Sequence, residues 1–298
     1  MASQKIIPNL WFNRNAKEAA EFYVESFPQG LIKSIEYYPS EGLQDFQKDF
    51  AGKELTVEFE LGGYSFVGIN AGSEFEKNPS ISCFVNFDPK SDEKAREHLD
   101  DLWNRLIDGG TALMDVGEYD FSKRYGWVQD RYGMSWQLIL TNPDGEDRPF
   151  IAPSFLFTSD KTNKAEEAIN YYLDVFKDSR MGSLYRYEED MGPANKGSLM
   201  FADFAIGNQW FAAMDGGAEH DFTFNEGVSL SISCKDQDEI DYYWSKLSSS
   251  PEDEMCGWCK DKFGVSWQIV AENMYELLGK PGGFEKMMEM KKIVIADF

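Results

Sequence analysis

Few residues of this 298-residue chain could do chemistry, and their spacing sorts them into sets. Cys256 and Cys259 form a Cys-x-x-Cys pair, the spacing of thiol-exchange centres that sit where a strand meets a helix. Here the pair leads into an extended stretch, where side chains three apart face opposite sides. Two independent thiols are expected, not a redox centre. Gln137 and Gln268 each end a run rich in Trp and Gly; they could orient a ligand carbonyl or hydroxyl, or simply satisfy neighbouring backbone. Glu58 and Glu60 alternate with Val57, Phe59 and Leu61, the pattern of a half-solvated strand. The chain has only two histidines, His98 and His220.

The runs that end in the two glutamines are copies of one another. Residues 126–137 (GWVQDRYGMSWQ) and 257–268 (GWCKDKFGVSWQ) agree at seven of twelve positions. The likeness extends outward: Pro8 to Phe12 matches Pro153 to Phe157, Phe22-Tyr23 matches Tyr171-Tyr172, and Phe75, Asn78 and Ser82 match Phe222, Asn225 and Ser229. A period of this size is a whole-domain duplication rather than a solenoid repeat, which runs about 20–50 residues. The copies occupy residues 1–141 and 150–271; the polar, turn-forming stretch 142–149 links them, and residues 272–298 form a tail without a counterpart.

Composition narrows the partners. Net charge is −23, from 29 basic and 52 acidic residues, with no basic patch to grip a phosphate backbone or an anionic lipid. Nucleic acid and membrane are therefore not expected partners. No apolar run reaches the ~18 residues of a membrane span, and no signal segment opens the chain, so a soluble cytoplasmic protein is expected. Four cysteines do not make a disulfide framework.

The elements that must position these residues read as β-α-β-β-β, twice per half. In the first half they fall near residues 6–12, 16–27, 31–38, 54–61 and 64–70, then near 80–87, 91–107, 112–116, 125–130 and 134–140. Asn15, Ser91 and Asn163 are the expected N-caps. The second half follows the same order, but its last module is shortened: Trp103 to Trp127 spans 24 residues where Trp244 to Trp258 spans 14. The tail reads as two short helices, with Met287, Met288 and Met290 as packing residues.

Modules of this order with these motifs resemble the vicinal-oxygen-chelate (glyoxalase-like) superfamily, and within it the PhnB-like branch often labelled 3-demethylubiquinone-9 3-methyltransferase. The carriers are Ile7-Pro8…Trp11-Phe12, Ala19-Ala20…Phe22-Tyr23, Asn70-Ala71-Gly72, the Gly-Trp…Asp…Gly…Ser-Trp-Gln signature and Met290-Lys291-Lys292-Ile293. The resemblance implies an α+β fold of tandem glyoxalase-like domains, each from paired βαβββ modules whose curled mixed sheets surround a cleft. It also implies metal-ligand positions that here fall on Pro8 and Pro153, around Asn70 and Asp215, on Ile81 and Ser229, and on Gln137 and Gln268. Proline has no donor, and neutral amides are weak partners for a hard cation, so no metal and no other cofactor is expected. A methyltransferase would need a glycine-rich turn after its first strand, and residues 6–40 contain none.

The resulting expectation is a metal-independent small-molecule-binding protein, with the metal-dependent lyase, isomerase or dioxygenase of glyoxalase type as the alternative. Whether any reaction is catalysed stays open. By strand parity Leu10, Phe155, Cys83, Ser229, Ser231 and Ser233 share the cleft with the glutamines. The expected ligand contacts are Gln137, Gln268, Ser229, Ser231, Asn225, Phe155 and Asn70. Asp215 and His220, placed beside the cleft by the resemblance, are the candidate acid/base pair, His220 titrating near neutral pH; an exposed loop histidine is the plainer alternative. The fused copies are expected to form an intrachain pseudo-dimer, with further homodimerisation left open. So is whether modules pair within a half or across halves.

Overall fold

A computed structural model describes residues 4–298. The first module comprises β1 (Ile6–Asn13), α1 (Ala16–Ser26), β2 (Leu31–Tyr37), β3 (Glu54–Leu61) and β4 (Tyr64–Ala71). The second is β5 (Ile81–Phe87), α2 (Ala95–Leu106), β6 (Thr111–Tyr119), β7 (Ser122–Gln129) and β8 (Ser135–Leu140). The third is β9 (Ile151–Phe157), α3 (Ala165–Val175), β10 (Ser179–Arg186), β11 (Leu199–Ile206) and β12 (Gln209–Asp215). The fourth is β13 (Val228–Cys234), α4 (Gln237–Leu247), β14 (Trp258–Lys260) and β15 (Ser266–Ala271), followed by α5 (Met274–Leu278) and α6 (Gly283–Glu289).

Modules pair across the repeat, not within it. A seven-stranded sheet runs β14-β15-β13-β1-β4-β3-β2, and an eight-stranded one β10-β11-β12-β9-β5-β8-β7-β6. The two outer modules thus share the first sheet and the two inner modules the second. Antiparallel seams join them: Asn9 pairs with Ser229 in the first sheet and Ser154 with Ser82 in the second. The missing eighth strand is the shortening seen between Trp244 and Trp258. Tail backbone fills part of the vacated edge, where the Cys256 and Gly257 amides donate to the Met290 and Lys291 carbonyls at 2.8 and 2.7 Å.

One face of each sheet packs on helices. In α1 the buried residues Ala16, Ala19, Ala20 and Tyr23 follow helical spacing, as do Ala165, Ala168, Ile169 and Tyr172 in α3. The signature aspartates anchor this core. Asp130 accepts from the Tyr23 hydroxyl and Trp136 Nε1, both at 2.8 Å, and from the Tyr132 and Met134 amides. Asp261 repeats the set with Tyr172, Trp267, Phe263 and Val265. Gly133 and Gly264, at φ +82° and +90°, make the turn that brings those amides back onto the carboxylate.

The helix starts differ from expectation. α2 begins at Ala95, because Ser91 belongs to a turn in which its hydroxyl donates to the Asp88 carbonyl. Asn15 precedes α1 but makes no side-chain cap, and Asn163 bonds Pro193 and Asn195 instead. The capping acceptors come from distant strands: Asn70 Oδ1 accepts the Ala16 amide, and Asp215 Oδ1 the Ala165 amide.

Candidate functional site: the cleft of the first sheet

The face of the first sheet turned away from its helices encloses a cavity of about 510 Å³. Its floor is a pair of rows read across hydrogen-bonded strands. One row is Glu58, Val67, Asn9 and Ser229; the next is Ile7, Ser231, Gln268 and Trp258. Gln268 Nε2 lies 2.9 Å from Ser229 Oγ, and Ser231 Oγ donates to the Ile7 carbonyl at 3.3 Å. Trp11 stands between Phe75 (4.9 Å between centroids) and Trp258 (6.2 Å) as an aromatic wall. The tail supplies the opposite wall through Met274, Tyr275, Phe284 and Met288, and Phe284 packs on Tyr38. Treating the tail methionines only as packing residues missed this; their unpaired apolar pattern beyond the repeat was the available signal.

The strand-parity expectations divide. Gln137, Gln268, Ser229, Ser231 and Ser233 face the cleft side of their sheets, as anticipated. Leu10, Cys83 and Phe155 do not: they lie in the helix-side core, Phe155 stacked on Phe211 and beside Tyr172. Pro8 and Pro153 share that parity, so the cleft-facing positions of those strands are Ile7 and Asn9 in one copy and Ala152 and Ser154 in the other.

Asn70 and Asp215 are occupied elsewhere. Asn70 holds the start of α1 and donates from Nδ2 to the Glu54 carbonyl. Asp215 splits its oxygens between the Ala165 and Leu199 amides at 3.1 and 3.0 Å. Burial pushes its carboxyl above the usual range, and the surrounding backbone N–H groups pull it partly back. His220 rests against the Phe222 ring, 4.8 Å between centroids, and no hydrogen bond joins it to Asp215. Asn225 ties two loops together, donating to the Glu76 carbonyl and accepting the Gly227 amide; Asn78 does the same in the other copy with Thr223 and Ser80. The structure therefore brings Gln268 and Ser231 into one cleft, sets Ser229 beneath them as the buried partner of Gln268, and leaves Asn70, Phe155, Asp215, His220 and Asn225 outside its lining.

Cys256 lines the cleft, 3.6 Å from Met288 Sδ, while Cys259 is buried in the helix-side core. Burial pushes the Cys256 thiol up to about 11 and the Cys259 thiol higher still. Neither is poised as a thiolate at neutral pH.

The equivalent face of the second sheet is filled. Its rows are Asp203, Ala212, Ser154 and Ser82, then Ala152, Phe84, Gln137 and Trp127. Phe84 stands where the first sheet has Ser231 and meets Phe201 edge-on at 6.0 Å. Tyr125, the counterpart of Cys256, donates its hydroxyl to Gln137 Oε1 at 2.7 Å, and Gln137 Nε2 reaches Ser82 Oγ at 2.8 Å. At the mouth Arg148 bonds Asp203 at 2.8 Å and covers the Trp210 ring at 4.0 Å. A smaller hollow of about 360 Å³ remains beside β10, walled by Glu146, Arg180 and Trp210.

The donors in the open cleft do not suit a catalytic cation. At its cleft-facing strand positions stand Ile7, Asn9, Val67, Ser231 and Gln268, with Glu58 as the one carboxylate on the sheet itself; the other acids of the lining, Glu226, Glu252, Asp253 and Glu272, come from loops and the tail. Among the described residues no three His, Cys, Asp or Glu side chains gather in a way that could hold a metal ion. None of the described helices is long and apolar enough to cross a membrane.

Comparison with known proteins agrees with this geometry. The family model described as 3-demethylubiquinone-9 3-methyltransferase matches twice, over residues 4–139 and 149–270. The PhnB protein of Bacillus cereus is 33% identical over 46% of this chain and 100% of its own length, with a TM-score of 0.39. Glyoxalase I from Zea mays is 11% identical, over 92% of this chain and 96% of that one, with a TM-score of 0.52, which speaks to the fold alone. No match is found among curated proteins. The chain belongs to the 3-demethylubiquinone-9 3-methyltransferase (PhnB-like) family, as a tandem duplication with mixed sheets of seven and eight strands.

Proposed function

We propose that this protein binds a small, largely apolar molecule in the first-sheet cleft, without a metal ion. The carrying observation is the cavity itself, about 510 Å³, at the small end of the ~300–1,000 Å³ typical of ligand sites. It has the composition of such sites, a mostly apolar wall with a few convergent polar groups: Gln268, Ser231 and Asn9 on the floor, Trp11 and Trp258 at the side. Gln268 and Ser231 set orientation, and the aromatic and methionine side chains supply contact area. The metal-dependent lyase or dioxygenase reading gains no support from this donor set. Methyl transfer gains none either, since a nucleotide methyl donor needs a glycine-rich turn opening a doubly wound sheet, and β1 runs through Arg14 and Asn15 into α1. The fused copies serve as an internal dimer, each sheet taking one module from each copy.

The test uses the second sheet as a template. Ser231→Phe with Cys256→Tyr copies Phe84 and Tyr125 into the first sheet. Titration with the neutral fluorophore N-phenyl-1-naphthylamine should show one saturable site in the parent protein and loss of at least tenfold in affinity in the filled variant. Equal binding by both, with both cooperatively folded, would refute the assignment of the cleft.

A further inference from the structure

We infer that the ligand of the first-sheet cleft is an amphipathic organic cation, an ammonium or guanidinium head on an apolar body, whose head sits on the Glu58 carboxylate. This rests on the cleft being a binding site at all.

The duplication supplies the comparison. Glu58 and Asp203 hold the same place in the two sheets: Glu58 pairs with Val67, which neighbours Asn9, and Asp203 pairs with Ala212, which neighbours Ser154. In the second sheet that acid is neutralised by the chain itself. The Arg148 guanidinium donates from Nε to Asp203 at 2.8 Å and lies 4.0 Å over the face of Trp210. This is how a carboxylate and an aromatic ring hold a planar cation out of water.

In the first sheet the acid has kept its place without a cation. Among the described residues Glu58 forms no salt bridge, and its one side-chain partner is the Tyr275 hydroxyl, donating at 3.0 Å. The charged side chains lining the cavity are all acidic: Glu58, Glu226, Glu252, Asp253 and Glu272. Lys260, just outside the lining, bonds Glu226 and Asp253 at 2.8 and 3.3 Å, one positive charge for two negative ones. Carboxylates of one sign around a single cavity repel one another at an electrostatic cost unless something cationic meets them. An anionic ligand would add to that cost.

A second, independent group points the same way. Asn9, 4% exposed, lines the cavity one strand beyond Val67. Its Nδ2 donates to the Ile7 carbonyl at 2.8 Å, which fixes the amide orientation because a carbonyl can only accept. Oδ1 has no hydrogen-bond partner among the described residues, so it is free to accept from a donor in the cavity. Glu58 and Asn9 are two strands apart, about 10 Å at the usual strand spacing. A cationic head with N–H groups can meet the carboxylate, and a further donor along the ligand can meet the amide.

The experiment displaces N-phenyl-1-naphthylamine with three molecules sharing one apolar body: 4-phenylbutylammonium, 4-phenylbutanol and 4-phenylbutyrate. The ammonium should displace at a concentration at least tenfold below that of the alcohol, with the carboxylate weakest. Glu58→Gln should bring ammonium and alcohol to within twofold of each other, and Glu58→Asp should keep most of the preference, which separates charge from folding. If the fluorophore binds but the ammonium is no better than the alcohol, or its advantage survives Glu58→Gln, the cation assignment is wrong and the cleft still binds. If the fluorophore does not bind at all, the cleft assignment fails and takes this inference with it.

Discussion

The two sheets descend from one module plan and keep the same scaffold, yet one holds a cavity and the other is packed shut. Several of the differences fall at cleft-facing positions. Ser231 becomes Phe84, Cys256 becomes Tyr125, Asn9 becomes Ser154, and the acid at Glu58 becomes an Asp203 covered by Arg148. On the helix-side faces the anchor is shared, with Asp130 and Asp261 accepting matched sets of four donors. Side-chain volume fills one cleft, while the other loses a strand at its edge and gains a wall from the tail. The filled copy shows what the open one lacks.

The shared scaffold gives the largest expected effect. Asp130→Ala and Asp261→Ala each leave a buried tyrosine hydroxyl, an indole N–H and two amides without an acceptor. At about 1–3 kcal/mol for each stranded donor, partly relieved by rearrangement, each should lose about 4 kcal/mol or more. Urea unfolding checks this. A large loss at one aspartate only would show that the two halves of the core are not energetically equivalent, despite their matched hydrogen bonds.

The plugged mouth comes next. Arg148 and Asp203 are largely buried, with side chains 16% and 12% exposed. Removing one member of such a pair strands the other, so Arg148→Ala should cost about 3 kcal/mol. The double variant Arg148→Met with Asp203→Leu should recover most of that loss, because apolar replacement of a buried pair is often near neutral. A double variant no more stable than Arg148→Ala would mean that Arg148 matters through its contact with Trp210 rather than through the charge.

The shared plan was the legible part of the sequence, and the contrast between sheets was not. The signature fixed the parity of β8 and β15, so Gln137 and Gln268 were placed on the cleft faces correctly. The same reasoning failed at β1 and β9. Every residue of β9 is buried, as are five of the eight in β1, so their sequences carry little alternation to read. Register was taken from Pro8 and Pro153, one residue off, and that turned Leu10 and Phe155 toward the wrong face. Asn70 and Asp215 looked like ligand donors because the resemblance puts a fourth-strand ligand position there and both carry side-chain oxygens. Their real partners, the amides that open α1 and α3, depend on tertiary contact. The exchange of modules between sheets and the closing of the cleft by the tail are likewise long-range choices, which a local pattern does not contain.

The smallest effect tests a position where the copies differ just outside the cavity. Lys77, in the β4–β5 connection, lies 4.0 Å over the Phe12 ring and donates to the Trp11 carbonyl. Its counterpart Phe224 meets Phe157 edge-on at 5.0 Å. Burial pushes the Lys77 amine down to about 8, with Asp130 pulling weakly the other way. The unfolded chain holds that proton up to about 10.4. Between these values the unfolded state binds more protons, so this group's contribution to stability rises with pH. Relative to the parent, Lys77→Phe should therefore do best at pH 7, and the stability difference in its favour should fall by roughly 2 kcal/mol as pH climbs from 7.5 to 10. Subtracting the two unfolding curves removes groups common to both proteins. A gap that stays constant over that range would show that the ammonium on Phe12 is as comfortable in the fold as in water, and that the aromatic substitution in the second copy answers to packing rather than to charge.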